Sequence, residues 1–337
     1  MAPGGARAHD LVNAVLGAGL DAGYVTCSLP LFRRSPLGGE ITLDHRAVVH
    51  RAASWEEALA RQAQEPDLVP ICGGTDLMVD INFDRSRPRG LLDLSSLPEL
   101  NDWSLVDDGR ILQLGAAVPY TRIIEELHDH CPALAMAART VGSPQIRNRG
   151  TVAGNLATAS PAGDAHPPLL ATGARIEVAS ARGTRLVDID DFFLGPKRSA
   201  LAPDELIRAV LIPVVRGPQQ FAKIGPRNAM VIATVSFAVA LDVADGTVGT
   251  GVGSAGPTPF RAQEAEQFAA ERLGGHWDAP EPADPGVLRE FGRLVAAAAS
   301  PIDDVRGTAD YRRHALSVLA ARCLGWAWSE RPLEQAA

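Results

Sequence analysis

The chain has 337 residues, which at roughly 150 residues per domain suggests two domains, and its 46% hydrophobic content allows a sizeable buried core. A formal net charge of −8 argues against a broad basic surface for nucleic acid. Its 32 glycines and 25 prolines predict many turns, and since no Gly-X-Y period runs through them a collagen is excluded.

Residues 1–44 read as an extension without an assigned task. The apolar run Leu11–Leu20 is broken by Asn13, Gly17 and Gly19 and reads as a helix or turn rather than an export signal. Leu29–Gly39 reads as a loop or short hairpin. From Ala47 the pattern sharpens. Val48 and Val49 predict a strand, and Ser54 with Glu57 three residues on forms a capping box for a helix that Pro66 ends. Leu68–Ile71 is a short apolar strand running into Gly73–Gly74–Thr75–Asp76, and Leu77–Ile81 is helical or extended. Strands are expected at Gly90–Leu94 and, after the turn Asp107–Asp108–Gly109, at Arg110–Leu114. Thr121 is expected to cap a helix, Cys131–Ala138 to be helical, and Gly142–Gly163 to be one long irregular loop. Strands at Ile176–Ala179, Thr184–Val187 and Leu206–Ile212 follow. Beyond a boundary near residue 215, Ala233–Val243 is a buried strand or helix segment, Val248–Val252 a strand, and Arg261–Leu273, Leu288–Ala298 and Tyr311–Trp326 helices. The order is α+β.

Three glycine-rich stretches could carry chemistry. In Ile71–Cys72–Gly73–Gly74–Thr75–Asp76–Leu77, paired glycines after a strand let the backbone approach a ligand, and successive N–H groups form an anion nest to which Thr75 adds a hydroxyl. An ordinary turn explains the same residues about equally well, and Asp76 is better placed as a backbone cap. In Arg147–Asp164, small and hydrogen-bonding residues interleave without a period. Gly150, Thr151, Gly154, Asn155 and Ser160 could surround a dinucleotide, and Asp164 could accept from a ribose hydroxyl. Gly251–Val252–Gly253–Ser254–Ala255–Gly256 matches the G-x-G-x-x-G string, but Pro257–Thr258–Pro259 follows where a Rossmann fingerprint should open a helix. Cysteines 27, 72, 131 and 323 form no cluster, so a self-contained iron–sulfur or zinc site is not expected. No run of about 18 apolar residues predicts a membrane span. The histidines are scattered, no G-x-S-x-G occurs, and Asp303–Asp304 reads as loop structure.

The first stretch resembles the G-G-T-D-L element, and Ser143–Asp164 the S-P-Q-I-R-N-x-G-T-x-x-G-N-L-x-x-A-S-P-x-x-D element, of the FAD-binding medium subunits of the molybdenum hydroxylases, the family of xanthine dehydrogenase and carbon monoxide dehydrogenase. Leu114–Gly115–Ala116 looks like its L-G-A strand end. Lys223–Arg227, Gly256–Arg261 and Asp310–Arg313 look like parts of its C-terminal domain. The resemblance spans residues 45 to about 327. It implies a two-lobed FAD-binding domain of the vanillyl-alcohol-oxidase/PCMH type at 45–215 and a smaller α/β domain at 216–330. It implies a cofactor-binding set of Ile71, Cys72, Gly73, Gly74, Thr75, Asp76, Leu77, Gly115, Ala116, Ile146, Gly150, Thr151, Gly154, Asn155, Ser160, Asp164 and Lys223, with no catalytic acid–base residue and no metal ligand. The implied role is electron relay in a cytoplasmic complex. A large molybdopterin-binding subunit would oxidise substrate, a small subunit would carry 2Fe–2S clusters, and FAD on this chain would pass electrons to NAD, a quinone or oxygen. Cys72 and Ala153 stand where the family commonly has alanine and glycine. A stand-alone FAD-dependent oxidase or dehydrogenase, and a scaffold with a decayed flavin site, are the alternatives.

Overall fold

The computed structural model describes residues 25–26 and 48–331. The expectations for Leu11–Leu20, Cys27 and Leu29–Gly39 lie outside the described residues.

Three sheets organise the chain. The first runs β1 (Val25–Thr26), β2 (Val48–Arg51), β4 (Gly90–Asp93) and β3 (Val69–Ile71) in that spatial order, with β2, β4 and β3 parallel. Helix α1 (Trp55–Gln64) links β2 to β3. Its Ser54 cap forms as expected, Glu57 N–H donating to Ser54 Oγ at 3.2 Å, while the Glu57 carboxylate turns back one residue further and accepts from Ala53 N–H at 2.8 Å. Helix α2 (Leu77–Asn82) follows β3.

The second sheet is antiparallel, in the order β5 (Trp103–Val106), β6 (Ile111–Gly115), β11 (Leu206–Pro213), β7 (Arg175–Ser180), β8 (Gly183–Asp188). Between β6 and β7 lie α3 (Tyr120–Glu126), α4 (Pro132–Thr140), α5 (Pro144–Arg147), α6 (Val152–Thr158) and α7 (His166–Thr172). Two expectations are corrected here. Gly142–Gly163 is not one irregular loop: α5 and α6 lie inside it, each too short to print a period on the sequence. Thr121 does not cap α3. Pro119 occupies the cap position, and Thr121 donates instead to Asn148 Oδ1 at 2.6 Å. After β8 come α8 (Ile189–Phe192), β9 (Phe193–Gly195) and β10 (Arg198–Ser199), the last two forming a small hairpin. Apolar side chains from both sheets and from α1, α3, α4, α6 and α7 share one core, with Leu92, Leu112, Ile123, Leu156 and Leu169 fully enclosed.

The third sheet, β12 (Gln219–Ile224), β13 (Val235–Asp242) and β14 (Thr247–Gly253), is antiparallel and is backed by α9 (Gln263–Leu273), α10 (Pro285–Ala297) and α11 (Ala309–Ser329) around a second core. Every residue of β13 but the last is buried, which settles Ala233–Val243 as strand. The G-x-G-x-x-G string starts in the last three residues of β14 and runs three residues beyond it. Gly249 and Gly251 share one face of it, and a Cβ at either would come within 2.0 and 1.9 Å of the carbonyl oxygens of Ala171 and Pro167. These glycines let the third sheet lie directly against α7. Arg312 is buried on α11, where it donates to the carbonyls of Thr234 and Ser254 and pairs with Asp304 at 2.6 Å. Trp328 is buried and Trp326 half exposed.

Candidate functional site: a backbone cradle and an adjoining cleft

At the end of β3 the chain must leave the sheet edge abruptly, and Gly74 does so at φ +71°, a region open to glycine. Gly73 meets the second glycine stretch at van der Waals range. A Cβ on it would stand 2.0 Å from Arg149 O, and one on Gly150 would stand 3.4 Å from Thr75 Oγ1. Thr158 Oγ1 donates to Asp76 Oδ2 at 3.1 Å, joining the same stretches at their other end. Asp76 is therefore not a side-chain cap: it occupies the cap position of α2 and accepts from Thr158 instead. Backbone N–H groups of Gly74, Thr75 and Asp76, and of Val152 and Ala153 across from them, find no acceptor among the described residues. Such a double row of open donors suits a diphosphate.

Not every expected donor is open. Gly150 N–H is spent on Ile146 O at 2.7 Å, and Gly154 N–H on Thr151 Oγ1 at 3.0 Å, where Thr151 caps α6. Ala153 lies inside that helix, so alanine in place of glycine costs nothing there. The left-handed position falls on Ala159, φ +46°, which ends the helix. Ser160 Oγ accepts from Ala162 N–H, and Asn155 Oδ1 accepts from Ala165 N–H at 3.4 Å. Asn155 O meets Nε2 of His166, whose ring is fully buried and whose pKa burial pushes down to about 4. Cys72 packs against the first core, and burial pushes its thiol up to about 11, so it is no nucleophile at neutral pH.

Asp164 and Lys223 lie 59 residues apart in sequence and 2.6 Å apart in space, with side chains 11% and 6% exposed. Lys223 Nζ also donates to Thr140 O and Val231 O. Lys223 is thus no surface lysine, and Asp164, read from sequence as a ribose acceptor, directs Oδ2 to Lys223 and Thr140. Burial raises the Asp164 pKa against the pull of Lys223. Lys223 also lines a cleft of about 870 Å³ between α4–α5 and β12, together with Phe221, Thr140, Arg139, Arg147 and Arg227. Phe221 offers an aromatic face beside a cation, and sequence reading missed it. The only signal available was an aromatic two residues from Lys223 on the same strand face.

Gly115 and Ala116 are not drawn into the cradle, and Ile146 adjoins it only through its carbonyl, which accepts from Gly150 N–H. Gly115 lies against the backbone of Leu100 and Asp102, Ala116 is buried and donates to Arg208 O, and Ile146 projects from α5 over Gly142. Ile71 and Leu77 flank the glycine turn, Ile71 with its side chain over Gly74.

Residues 42–215 match the family described as the FAD-binding domain in molybdopterin dehydrogenase, and residues 220–327 the CO dehydrogenase flavoprotein C-terminal domain. The chain belongs to the FAD-binding subunits of the molybdopterin dehydrogenases. It is 30% identical over 290 residues to the xanthine dehydrogenase FAD-binding subunit of Escherichia coli O157:H7, covering 82% of this chain and 94% of that one. It is 32% identical over 277 residues to the nicotine 6-hydroxylase medium subunit of Paenarthrobacter nicotinovorans, covering 81% and 94%. The crystal structure of the Cu,Mo-CO dehydrogenase in its cyanide-inactivated form superposes with a TM-score of 0.76 at 26% identity, covering 84% of this chain and 97% of that one. The cofactor of this oxidoreductase family is FAD, and the residues present fit it: open backbone donors for the diphosphate, a glycine at position 73 whose missing Cβ lets the two stretches close up, and a cleft lined by an aromatic side chain and cations.

Proposed function

We propose that this chain is the electron-relay subunit of a heteromeric molybdenum-containing dehydrogenase, taking electrons from 2Fe–2S clusters in a small partner subunit while a large molybdopterin subunit oxidises the substrate. The observation that carries this reading is the backbone contact between Gly73 and Arg149–Gly150, which brings two distant stretches into one cradle. When bound, FAD supplies the redox chemistry, exchanging single electrons with the clusters and pairs with the final acceptor. The protein's part is position and electrostatics. Gly74, Thr75 and Asp76 with Val152 and Ala153 would hold the diphosphate, and Asn155, Ser160 and Asp164 would line the wall beside it. Lys223 and Phe221 would meet the ring end in the cleft.

Among the described residues, the cleft lining contains no carboxylate and no imidazole to take a proton from a substrate, which favours relay over a stand-alone oxidase. On a chain of net charge −8, Arg139, Arg147, Arg227 and Lys223 gather there, which suits an acidic dinucleotide acceptor such as NAD better than a neutral quinone. Gly74→Val and Asn155→Leu are expected to lose FAD while keeping the circular dichroism of the folded chain. Full flavin absorbance in both would place the site elsewhere. Anaerobic NADH is expected to bleach the bound flavin, and bleaching by a reduced quinone analogue alone would reverse the choice of acceptor.

A further inference from the structure

Tyr120 opens α3 directly beneath the cradle. Its N–H donates to Gly150 O at 3.0 Å, and its ring edge lies 3.4 Å from where a Gly150 Cβ would stand. The residue is 2% exposed, and its hydroxyl is buried with no hydrogen-bond partner among the described residues. A buried phenol without an acceptor is costly, and such groups in a native chain call for an explanation. The neighbourhood supplies one. Asp164 Oδ1 is likewise buried and without a partner among the described residues, while Oδ2 of the same carboxylate is held by Lys223 and Thr140. The phenol is kept protonated first by burial and then by the nearby carboxylates of Asp164 and Asp76. One enclosed donor without an acceptor and one enclosed acceptor without a donor thus lie within electrostatic range of each other.

We infer that in the FAD-loaded protein the Tyr120 hydroxyl donates to Asp164 Oδ1 and so fixes the carboxylate that holds Lys223 at the cofactor. Tyr120 is then a positioning residue acting through Asp164. The inference rests on the FAD site proposed above. It accounts for both orphaned atoms with one bond, and it leaves Lys223 tied at both ends: Asp164 from the FAD-binding domain, Val231 O from the chain beyond β12.

The test is a double-mutant cycle on the full chain, with Tyr120→Phe, Asp164→Asn and the pair, reading the FAD dissociation constant by flavin fluorescence and the flavin midpoint potential by spectroelectrochemistry. Tyr120→Phe removes the hydroxyl alone. We expect it to weaken FAD binding about ten-fold, to shift the potential, and to leave the melting temperature of the FAD-free chain unchanged or raised, since an unsatisfied polar atom has gone. In the Asp164→Asn background it is expected to add less than two-fold. Wild-type affinity and potential in Tyr120→Phe, or effects of the two substitutions that simply multiply, would overturn the inference. A fall in the melting temperature of the FAD-free Phe variant matching its loss of affinity would overturn it too, because the hydroxyl would then be structural. Failure of the wild-type chain to take up FAD would overturn the cofactor site itself and would be seen before any variant is compared.

Discussion

At the scale of single residues, burial decides what each polar group can do. His166 shows it most sharply. Its ring is enclosed between the Asn155 carbonyl and Phe193, with centroids 4.6 Å apart, and its pKa falls from 6.5 to about 4. The native state therefore refuses a proton that the unfolded chain accepts below about pH 6.5. Stability rises with pH wherever the unfolded state binds more protons, so this residue makes the chain less stable as pH falls from about 6.5 to about 4, by roughly 3 kcal/mol in all. His166→Gln keeps a donor for Asn155 O and has no such titration. Urea unfolding of both proteins across that window should show the wild type losing stability relative to the variant. Parallel curves would mean that the imidazole is not held neutral. Gly73 and Gly74 announced a tight turn after a strand, and the turn is there, with Gly74 at φ +71°; the sequence alone left an ordinary turn and an anion nest equally open. The Asp164–Lys223 pair was legible only as two family positions. An isolated lysine reads as a solvated surface charge, and no local pattern reports a partner 59 residues away.

At the scale of elements, spacing reported strands and caps well and short helices badly. The Ser54 cap and the Asp107–Asp108–Gly109 turn, all three of whose residues adopt positive φ, formed where their chemistry required. Helices α5 and α6 were hidden because four and seven residues are too few to give an amphipathic signature. The glycines of β14, set aside from sequence because Pro257–Thr258–Pro259 follows them, have a packing use instead. Their two-residue spacing, which imitates a dinucleotide fingerprint, is the period of one strand face, and that face is bare so that α7 can lie against it. Gly251→Ala would drive a methyl group into Pro167 O, so strand and helix must separate. A loss of about 2–4 kcal/mol is expected, read as a lower urea midpoint, with weaker FAD binding because α7 begins two residues after Asp164. An unchanged midpoint would show that β14 and α7 do not meet at this distance.

At the scale of the whole molecule, each domain closes its own core, and the site sits where they adjoin. The cradle belongs to the first domain. The cleft takes one wall from α4 and α5 and the other from β12 and the chain after it, with Lys223 crossing between. This arrangement explains why the domain holding the glycine motifs could be read from sequence as the cofactor domain, while Phe221 and the arginine-lined cleft could not. A motif is contiguous, whereas a cleft exists only once two domains are placed side by side. It also fits a relay, in which the protein must hold a cofactor rigidly and leave its ring end open to an acceptor.

The account's central claim is that backbone amides of two separate stretches close around one diphosphate. Amide hydrogen exchange of the full chain with and without FAD tests it most directly. Slowed exchange is expected on FAD addition both at Gly74–Asp76 and at Val152–Ala153, at one FAD concentration and to similar extent. Protection confined to one stretch, or absent from both while FAD is bound, would contradict it.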